Sequence, residues 1–254
     1  MSNKHNEILL DEIYNEYTIN LFSDASISKT FGSYGSIAVN RDTELEKSLF
    51  VKENTTVNEC ELLGIRLSLL LAHKYQYNYR VINIFSDSKI SIDVITSFRQ
   101  HTYKQIITES GEIKYLICRI MKPGNKEEPY KNQELLADCI WLYYELLKNP
   151  NITINLLHQS GHIIPNRFDN YNDIKSNNIQ NAQKSFINNN TYNNEIISKE
   201  FIMYISKYND NIDRSTRIAL QEMLYRSNKQ YCTSPIHFKP LCCSIPGLLE
   251  RKRR

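Results

Sequence analysis

Short apolar runs with strand-like patterns occupy much of the chain and predict a β-sheet. Three of them come first and predict an antiparallel meander: Tyr17–Phe22, Tyr34–Val39 and Glu46–Val51. A fourth run, Arg80–Phe85, is almost continuously apolar and β-branched, as expected for a buried central strand. A fifth run, Asn151–Leu157, predicts the last strand of the sheet.

Helical spacing of apolar residues appears between these strands. Apolar side chains recur every three or four residues between positions 58 and 75, and Asn58 is a candidate N-cap. Helices are also predicted over Lys89–Phe98 and Asn132–Leu147, whereas residues 99–129 are ambiguous. The order of elements predicts an α/β domain with a mixed five-stranded sheet flanked by helices.

The composition changes sharply after Asp173, where an Asn-rich tract begins. Low-complexity polar tracts of this kind are typical of flexible linkers. Beyond the tract, a helical pair is predicted around Glu195–Tyr208 and Asp213–Tyr225. We therefore expect four segments: a lead-in at 1–16, the α/β domain at 17–176, a linker at 177–194, and a small helical extension with a basic tail at 195–254.

Charge and apolar content restrict the class of protein. The formal net charge of +3 permits nucleic-acid binding without requiring it. The start of the chain has no run of signal-peptide length, and no stretch reaches the ~18 apolar residues of a membrane span. We expect an intracellular monomer that binds no membrane. The terminal RKRR sequence suggests a nuclear signal. The abundance of Asn, Ile, Lys and Tyr suggests an AT-rich or viral genome.

Acidic residues in the α/β domain predict a metal site. Asp24 and Asp87 directly follow apolar strands, Glu61 lies near the start of a helix, and Asp173 follows the segment that leaves the last strand. Crowded carboxylates repel one another, and hard oxygen ligands suit Mg²⁺ or Mn²⁺. Two such ions ~4 Å apart can activate a water and stabilise the leaving oxygen of a phosphodiester. Each acid alone is explained by a turn or a helix cap, so the argument depends on the whole set.

The same set, in the same order, resembles the ribonuclease H family of type I. The resemblance is carried by five segments: FSDASISKTFGSYGSIAV, TTVNECELLGIRLSLLLA, INIFSDSKISIDVI, YKNQELLADCIWLYYELL and NITINLLHQSGH. They are similar, respectively, to the family's first hairpin, the start of its first helix, its strand ending in Asp-Ser, a later helix, and the final strand leading into a histidine loop.

The resemblance implies that Asp24, Glu61 and Asp87 are metal ligands holding two Mg²⁺ or Mn²⁺ ions. Retroviral-type members carry a fourth carboxylate in a Gly-Asn-x-x-Ala-Asp motif, fifteen positions after the loop histidine. Asp173 stands fifteen positions after His158, but the motif around it is altered, and Asp169 is the alternative.

Further residues receive roles from the resemblance. His158 corresponds to the mobile loop histidine that assists proton movement, and His162 is an alternative for that role. Asn58 would contact the minor groove of the nucleic acid, while Ser26 and Ser88 would contact phosphate. Both serines would equally serve as ordinary caps.

The implied function is metal-dependent hydrolysis of the RNA strand of RNA–DNA hybrids. Two alternatives stay open. The domain could be another nuclease of the same fold, of the resolvase, integrase or exonuclease type, because fold does not determine substrate. It could also be a degenerate, non-catalytic module that binds nucleic acid.

Overall fold

The fold was analysed in a computed structural model. It describes residues 7–8, 10–29, 31–97, 102–107, 113–121, 126–160, 176–190 and 196–230. The strands are β1 (Glu7–Ile8), β2 (Thr18–Ser28), β3 (Phe31–Asn40), β4 (Thr43–Glu53), β5 (Val81–Ser86), β6 (Thr102–Ile107), β7 (Ile113–Met121), β8 (Lys126–Pro129), β9 (Thr153–His158) and β10 (Ile196–Ile197). The helices are a 3₁₀ turn at Leu10–Glu12, α1 (Val57–Tyr75), α2 (Lys89–Thr96), α3 (Gln133–Leu147), α4 (Ser176–Asn189) and α5 (Lys199–Gln230).

Five of these strands form the central sheet, in the order β4-β3-β2-β5-β9. The pairs β4–β3 and β3–β2 are antiparallel, whereas β2–β5 and β5–β9 are parallel. The mixed five-stranded sheet flanked by helices that the sequence predicts is therefore confirmed.

Strand β2 is longer than the apolar pattern indicates. The pattern predicts a strand that ends at Phe22, but β2 continues to Ser28 because Asp24 and its neighbours pair with β3. Asp24 is therefore a residue within the strand, opposite Gly35, and does not follow its end. The adjacent strand β5 stops at Ser86, so β2 extends past it on that side of the sheet.

The two faces of the sheet are covered by different helices. On one face, α1 packs against β2, β3 and α3, over a core that includes Ile19, Leu21 and Ile84. On the other face, α4 and α5 cover a core in which Phe22 and Phe85 stack with their ring centroids 4.9 Å apart. The β-strand alternation of side chains explains the division, since Leu21 and Phe22 point to opposite faces.

The second face corrects two expectations. The Asn-rich segment 177–194 was predicted to be a flexible linker, but most of it lies in α4, whose Phe186 is buried against Phe85 and Phe201. The predicted helical pair is a single helix, α5. Both helices share a core with the sheet, so the C-terminal extension does not stand apart from it. Within the described ranges, no helix is both long and apolar enough to cross a membrane, and the basic tail falls outside those ranges.

The ambiguous segment 99–129 contains a separate antiparallel sheet, in the order β6-β7-β8. The Gln133 side chain at the start of α3 ties this sheet to the domain. Its Oε1 accepts from the Ile117 N–H at 2.8 Å, and its Nε2 donates to the Ile117 carbonyl at 2.9 Å.

Two glycines allow both helical layers to approach the sheet near Asp24. A Cβ atom at Gly35 would lie 2.9 Å from the Ser48 carbonyl and 3.1 Å from the Ile212 side chain of α5. A Cβ atom is tolerated more easily at Gly64 of α1, where it would lie 3.3 Å from the Asp24 carbonyl. The close packing brings both helices to the same level of strand β2.

We expect Gly35→Ala to destabilise the protein by about 1–3 kcal/mol, because the added methyl group overpacks a site bounded by backbone. Equilibrium unfolding in urea measures the change. Gly64→Ala is the comparison, and its loss should be smaller because the nearest atom is farther away. A Gly35→Ala variant as stable as the wild type would contradict the packing argument.

Candidate active site

Asp24 is the most deeply buried carboxylate of the predicted set. Asp24 is only 9% exposed. Its Oδ1 accepts a hydrogen bond from the Ala25 N–H at 2.7 Å. Burial is the main cause that raises the pKa of Asp24, to about 8, and the negative charges of Asp87 and Asp213 raise it further. The hydrogen bond from Ala25 acts in the opposite direction. Asp24 therefore lies in a crowded acidic environment.

Asp87 lies just after strand β5 and influences carboxylates on both the sheet and helix α1. It follows the last residue of β5, Ser86, which pairs with Ser23 immediately before Asp24. The charge of Asp87 raises the pKa values of both Asp24 and Glu61. Asp24 lies on the strand and Glu61 on helix α1, so Asp87 links carboxylates from two different layers. The charge of Asp87 therefore acts on both of the other carboxylates predicted from the first three strands and helix α1.

Glu61 is held by Ser88. The Ser88 hydroxyl donates to Glu61 Oε2 at 2.7 Å and lies 2.8 Å from the Ser91 hydroxyl. Burial raises the pKa of Glu61, while the hydrogen bond from Ser88 lowers it. Ser88 is itself buried. Ser88 takes the N-cap position of α2, but its hydroxyl bonds to a carboxylate and not to the helix backbone, and its contact with phosphate stays a prediction.

A fourth carboxylate, Asp213, reaches the site from helix α5. It is 8% exposed, hydrogen-bonds with the Asp24 side chain, and accepts from Arg217 Nε at 2.8 Å. Three residues further along α5, the Thr216 carbonyl accepts from Ser33 at 2.6 Å, which fixes the helix on the sheet. The predicted fourth carboxylate, Asp173, and its alternative, Asp169, lie outside the described residues.

His158 differs from its predicted role as a mobile loop histidine. It is the last residue of β9, paired with Ser86, and only 8% exposed. Its Nε2 lies 3.1 Å from the Asp87 carbonyl oxygen. Burial lowers the pKa of His158, and the hydrogen bond to Asp87 opposes this effect. The strand pairing removes the mobility that a loop would give, and His162 lies outside the described residues.

The two remaining predicted contacts differ in exposure. Ser26 is half-buried, with its hydroxyl 3.3 Å from that of Thr216, so it joins β2 to α5. Asn58 is exposed in the first turn of α1 and is accessible to a ligand. It is not the helix cap, because Thr56 holds that position and accepts from the Glu59 N–H.

One protein-family model matches more than half of the chain. The family model for RNase H matches residues 16–162, which contain Asp24, Glu61, Asp87 and His158. The chain belongs to the RNase H family. Its sheet, with three antiparallel strands followed by two parallel ones, is the fold of that family. A comparison with curated proteins gives no match.

Solved structures similar to this RNase H chain include cellular and viral enzymes. The RNase H1 of the halophilic archaeon Halobacterium salinarum is 13% identical, with 56% of this chain and 84% of that one covered and a TM-score of 0.35. LC11-RNase H1 in complex with an RNA/DNA hybrid is 13% identical, with 55% and 83% covered and a TM-score of 0.37. The RNase H domain of PFV is 13% identical, with 73% and 98% covered and a TM-score of 0.37.

Asp213 also fits the RNase H motif that was assigned to Asp173. The retroviral-type pattern is Gly-Asn-x-x-Ala-Asp. The segment 209–213 (NDNID) reproduces its Asn, its Asp and an apolar residue before the Asp, while Tyr208 stands where the pattern has Gly. The spacing of fifteen residues from His158 selects Asp173, which stays a prediction, whereas Asp213 lies on α5, separated from β9 by residues 159–198. Matching the motif without fixing the spacing makes Asp213 a second candidate for the fourth carboxylate.

The donor set of this RNase H site suits a hard divalent cation. The candidate ligands are carboxylates from a strand, two helices and a strand end. Burial and then the charges of Asp87 and Asp213 raise the pKa of Asp24, and positive charge would relieve that repulsion. Among the described residues, no three His, Cys, Asp or Glu side chains form a ready-made metal cage. Mg²⁺ rarely uses such cages, because it retains waters and binds substrate phosphates beside one or two carboxylates.

Proposed function

We propose that the protein is an endonuclease that uses two Mg²⁺ or Mn²⁺ ions to hydrolyse the RNA strand of RNA–DNA hybrids. Membership of the RNase H family supports this activity. The observation that carries it is the mutual influence of the carboxylates, since Asp87 and Asp213 raise the pKa of the buried Asp24 and Asp87 also raises that of Glu61. Four acids in one partly buried site are costly for folding alone, which favours a role in holding cations.

The protein's own residues would act by holding and orienting. Asp24, Glu61, Asp87 and Asp213 would hold the two ions, which when bound supply an activated water and stabilise the leaving oxygen of the phosphodiester. Ser88 holds Glu61 through its hydrogen bond, and the charge of Asp87 acts on the same carboxylate.

Substrate selection is proposed to depend on the exposed start of helix α1. Asn58 stands there in the first turn, in the segment that also carries Glu61. An amide at this place can hydrogen-bond the minor groove, and contact with the 2′-hydroxyl is what distinguishes RNA from DNA. Ser26 and Ser88 are engaged within the protein and are not proposed as nucleic-acid contacts.

The proposal is tested with a panel of labelled substrates: an RNA–DNA hybrid, duplex DNA, duplex RNA and a four-way junction. We expect cleavage of the RNA strand of the hybrid in millimolar Mg²⁺ or Mn²⁺, with 5′-phosphate and 3′-hydroxyl ends and none after chelation. Asp87→Asn serves as the inactive variant, because it removes the carboxylate shared by the two layers.

Other outcomes of the panel would replace the proposal. Preferential cleavage of the junction or of duplex DNA would indicate another nuclease of the same fold. Binding of nucleic acid with no cleavage of any substrate in either metal would indicate a non-catalytic module. Full activity in Asp87→Asn would refute the assignment of the site.

A further inference from the structure

The C-terminal end of helix α4 makes a specific contact with strand β9. Asn190 directly follows the helix, and its side-chain Oδ1 accepts from the His158 N–H at 2.6 Å. Its Nδ2 donates to the His158 carbonyl at 2.7 Å and to the Phe186 carbonyl at 2.9 Å. One amide side chain therefore binds both polar groups of the His158 backbone and is itself fixed to the helix.

This contact closes the open side of an edge strand. Strand β9 is the last strand of the sheet, and its His158 pairs with Ser86 of β5 on the inner side. On the outer side, the amide of Asn190 takes the place that a further strand would occupy, because it offers one donor and one acceptor as a peptide does. The backbone of His158 is consequently fixed on the outer side by its own N–H and carbonyl, while the next residue, Gln159, donates to the Ser86 carbonyl at 2.9 Å on the inner side.

The orientation of the His158 ring follows from this constraint. Nε2 lies 3.1 Å from the carbonyl oxygen of Asp87, and a carbonyl only accepts hydrogen bonds. Nε2 must therefore carry the proton in the neutral ring. The other nitrogen, Nδ1, is buried and has no hydrogen-bond partner among the residues that the structure describes.

Helix α4 is attached to the same edge at two further points. The Ser185 hydroxyl lies 2.5 Å from that of Ser160, and Asn189 Oδ1 accepts from Lys89 Nζ at 2.8 Å. These contacts hold the helix in place beside the site, but neither one touches the backbone of His158. Of these contacts of the α4 end, that of Asn190 acts directly on the residue that hydrogen-bonds to Asp87.

We infer that Asn190 is a positioning residue, which holds His158 in one orientation and in the Nε2–H tautomer and thereby fixes the Asp87 backbone beside the carboxylate site. The catalytic consequence rests on the proposed function. The effect on the orientation and tautomer of His158 does not rest on that function, because it concerns the protein without metal or substrate.

The inference is tested by NMR on the full chain with ¹⁵N-labelled histidine. Two-bond ¹H–¹⁵N correlation spectra distinguish the tautomers of each of the six histidines, and His158→Gln identifies the signal of His158. We expect the wild type to show Nε2–H alone at His158. In Asn190→Ala we expect signals of both tautomers, and in Asn190→Asp, which accepts but cannot donate, an intermediate change.

Asn189→Ala is the matched control, since it removes a neighbouring amide at the same helix end and should leave the His158 spectrum unchanged. A wild type with a mixed or Nδ1–H ring would overturn the inference without any variant. A wild-type spectrum in a folded Asn190→Ala or Asn190→Asp protein would also overturn it.

Activity gives the second readout. With a hybrid substrate, Asn190→Ala should lower kcat by about 10- to 100-fold, the cost of a small displacement near the reacting groups, and leave KM unchanged. Because the spectra need no activity, they decide the positioning role even if the wild type cleaves nothing, and that failure would count against the proposed function alone.

Discussion

Asp213→Asn should reduce cleavage of an RNA–DNA hybrid by about 10³-fold, because stabilisation by a bound metal ion is worth several kcal/mol and each 1.36 kcal/mol changes the rate tenfold. The reason is structural: Asp213 is buried beside Asp24 and contributes charge to the same site. Steady-state cleavage rates with saturating Mg²⁺ or Mn²⁺ measure the effect. A far-ultraviolet spectrum and a melting curve establish that the variant is folded.

Asp173→Asn provides the decisive comparison. The spacing from His158 selects Asp173, whereas the contact with Asp24 selects Asp213. We expect Asp173→Asn to retain wild-type activity. Loss of activity in Asp173→Asn together with normal activity in Asp213→Asn would reverse the assignment of the fourth carboxylate.

The second large effect concerns stability. We expect Asp24→Asn to stabilise the metal-free protein at pH 8 by at least about 2 kcal/mol, which corresponds to about 4–8 °C in Tm. Burial and neighbouring negative charge raise the pKa of Asp24 to about 8, whereas the unfolded chain has the ordinary value near 4. Between these values the folded state retains a proton that the unfolded state has lost, so wild-type stability falls as pH rises from about 4 to 8.

Replacement by Asn removes this dependence on pH. The two proteins should therefore differ little at pH 4, and the variant should be the more stable at pH 8. Added Mn²⁺ should raise the Tm of the wild type more than that of the variant, because a ligand of the folded state stabilises it.

The exposed Asp138, which lies 3.5 Å from Arg66, gives the control Asp138→Asn, expected to change stability by less than about 0.5 kcal/mol. An Asp24→Asn protein less stable than the wild type at pH 8 would contradict the crowding of charge.

Local patterns in the sequence are sufficient to predict the strands of the sheet and to select three of the candidate carboxylates. Strands β2, β3, β4, β5 and β9 each carry an apolar pattern of their own, and Asp24 and Asp87 could be located from the ends of those patterns. Glu61 could be located from the start of a helix in the same way. These features depend on neighbours in sequence, which is why the period of apolar residues reveals them.

The features that were missed depend on contacts between distant segments. The contact between Asp213 and Asp24 joins helix α5 to the first long strand, and a fixed spacing from His158 does not anticipate it. The place of His158 depends on pairing with Ser86 and on the Asn190 amide. Neither partner can be read from residues near His158.

Helix α4 was missed for a different reason. Its composition is that of a polar linker, and the Asn content outweighed the rest of the pattern. Yet Ile179, Ala182 and Phe186 recur at helical spacing, and all three are buried. A test for periodicity within the polar tract would have predicted a helix that packs on the sheet.

The late position of helix α5 in the chain affects how a newly made molecule matures. Segments emerge from the ribosome in order, and domains tend to form as they emerge. The stretch that matches the family model ends at residue 162, so it supplies three of the four acids and leaves Phe22 and Phe85 without the cover that α4 and α5 give them. A nascent chain of that length would expose an apolar face of the sheet to solvent and would hold an incomplete set of the proposed metal ligands. Translation of the last helix would then bring burial of that face and completion of the proposed metal-binding site in the same event.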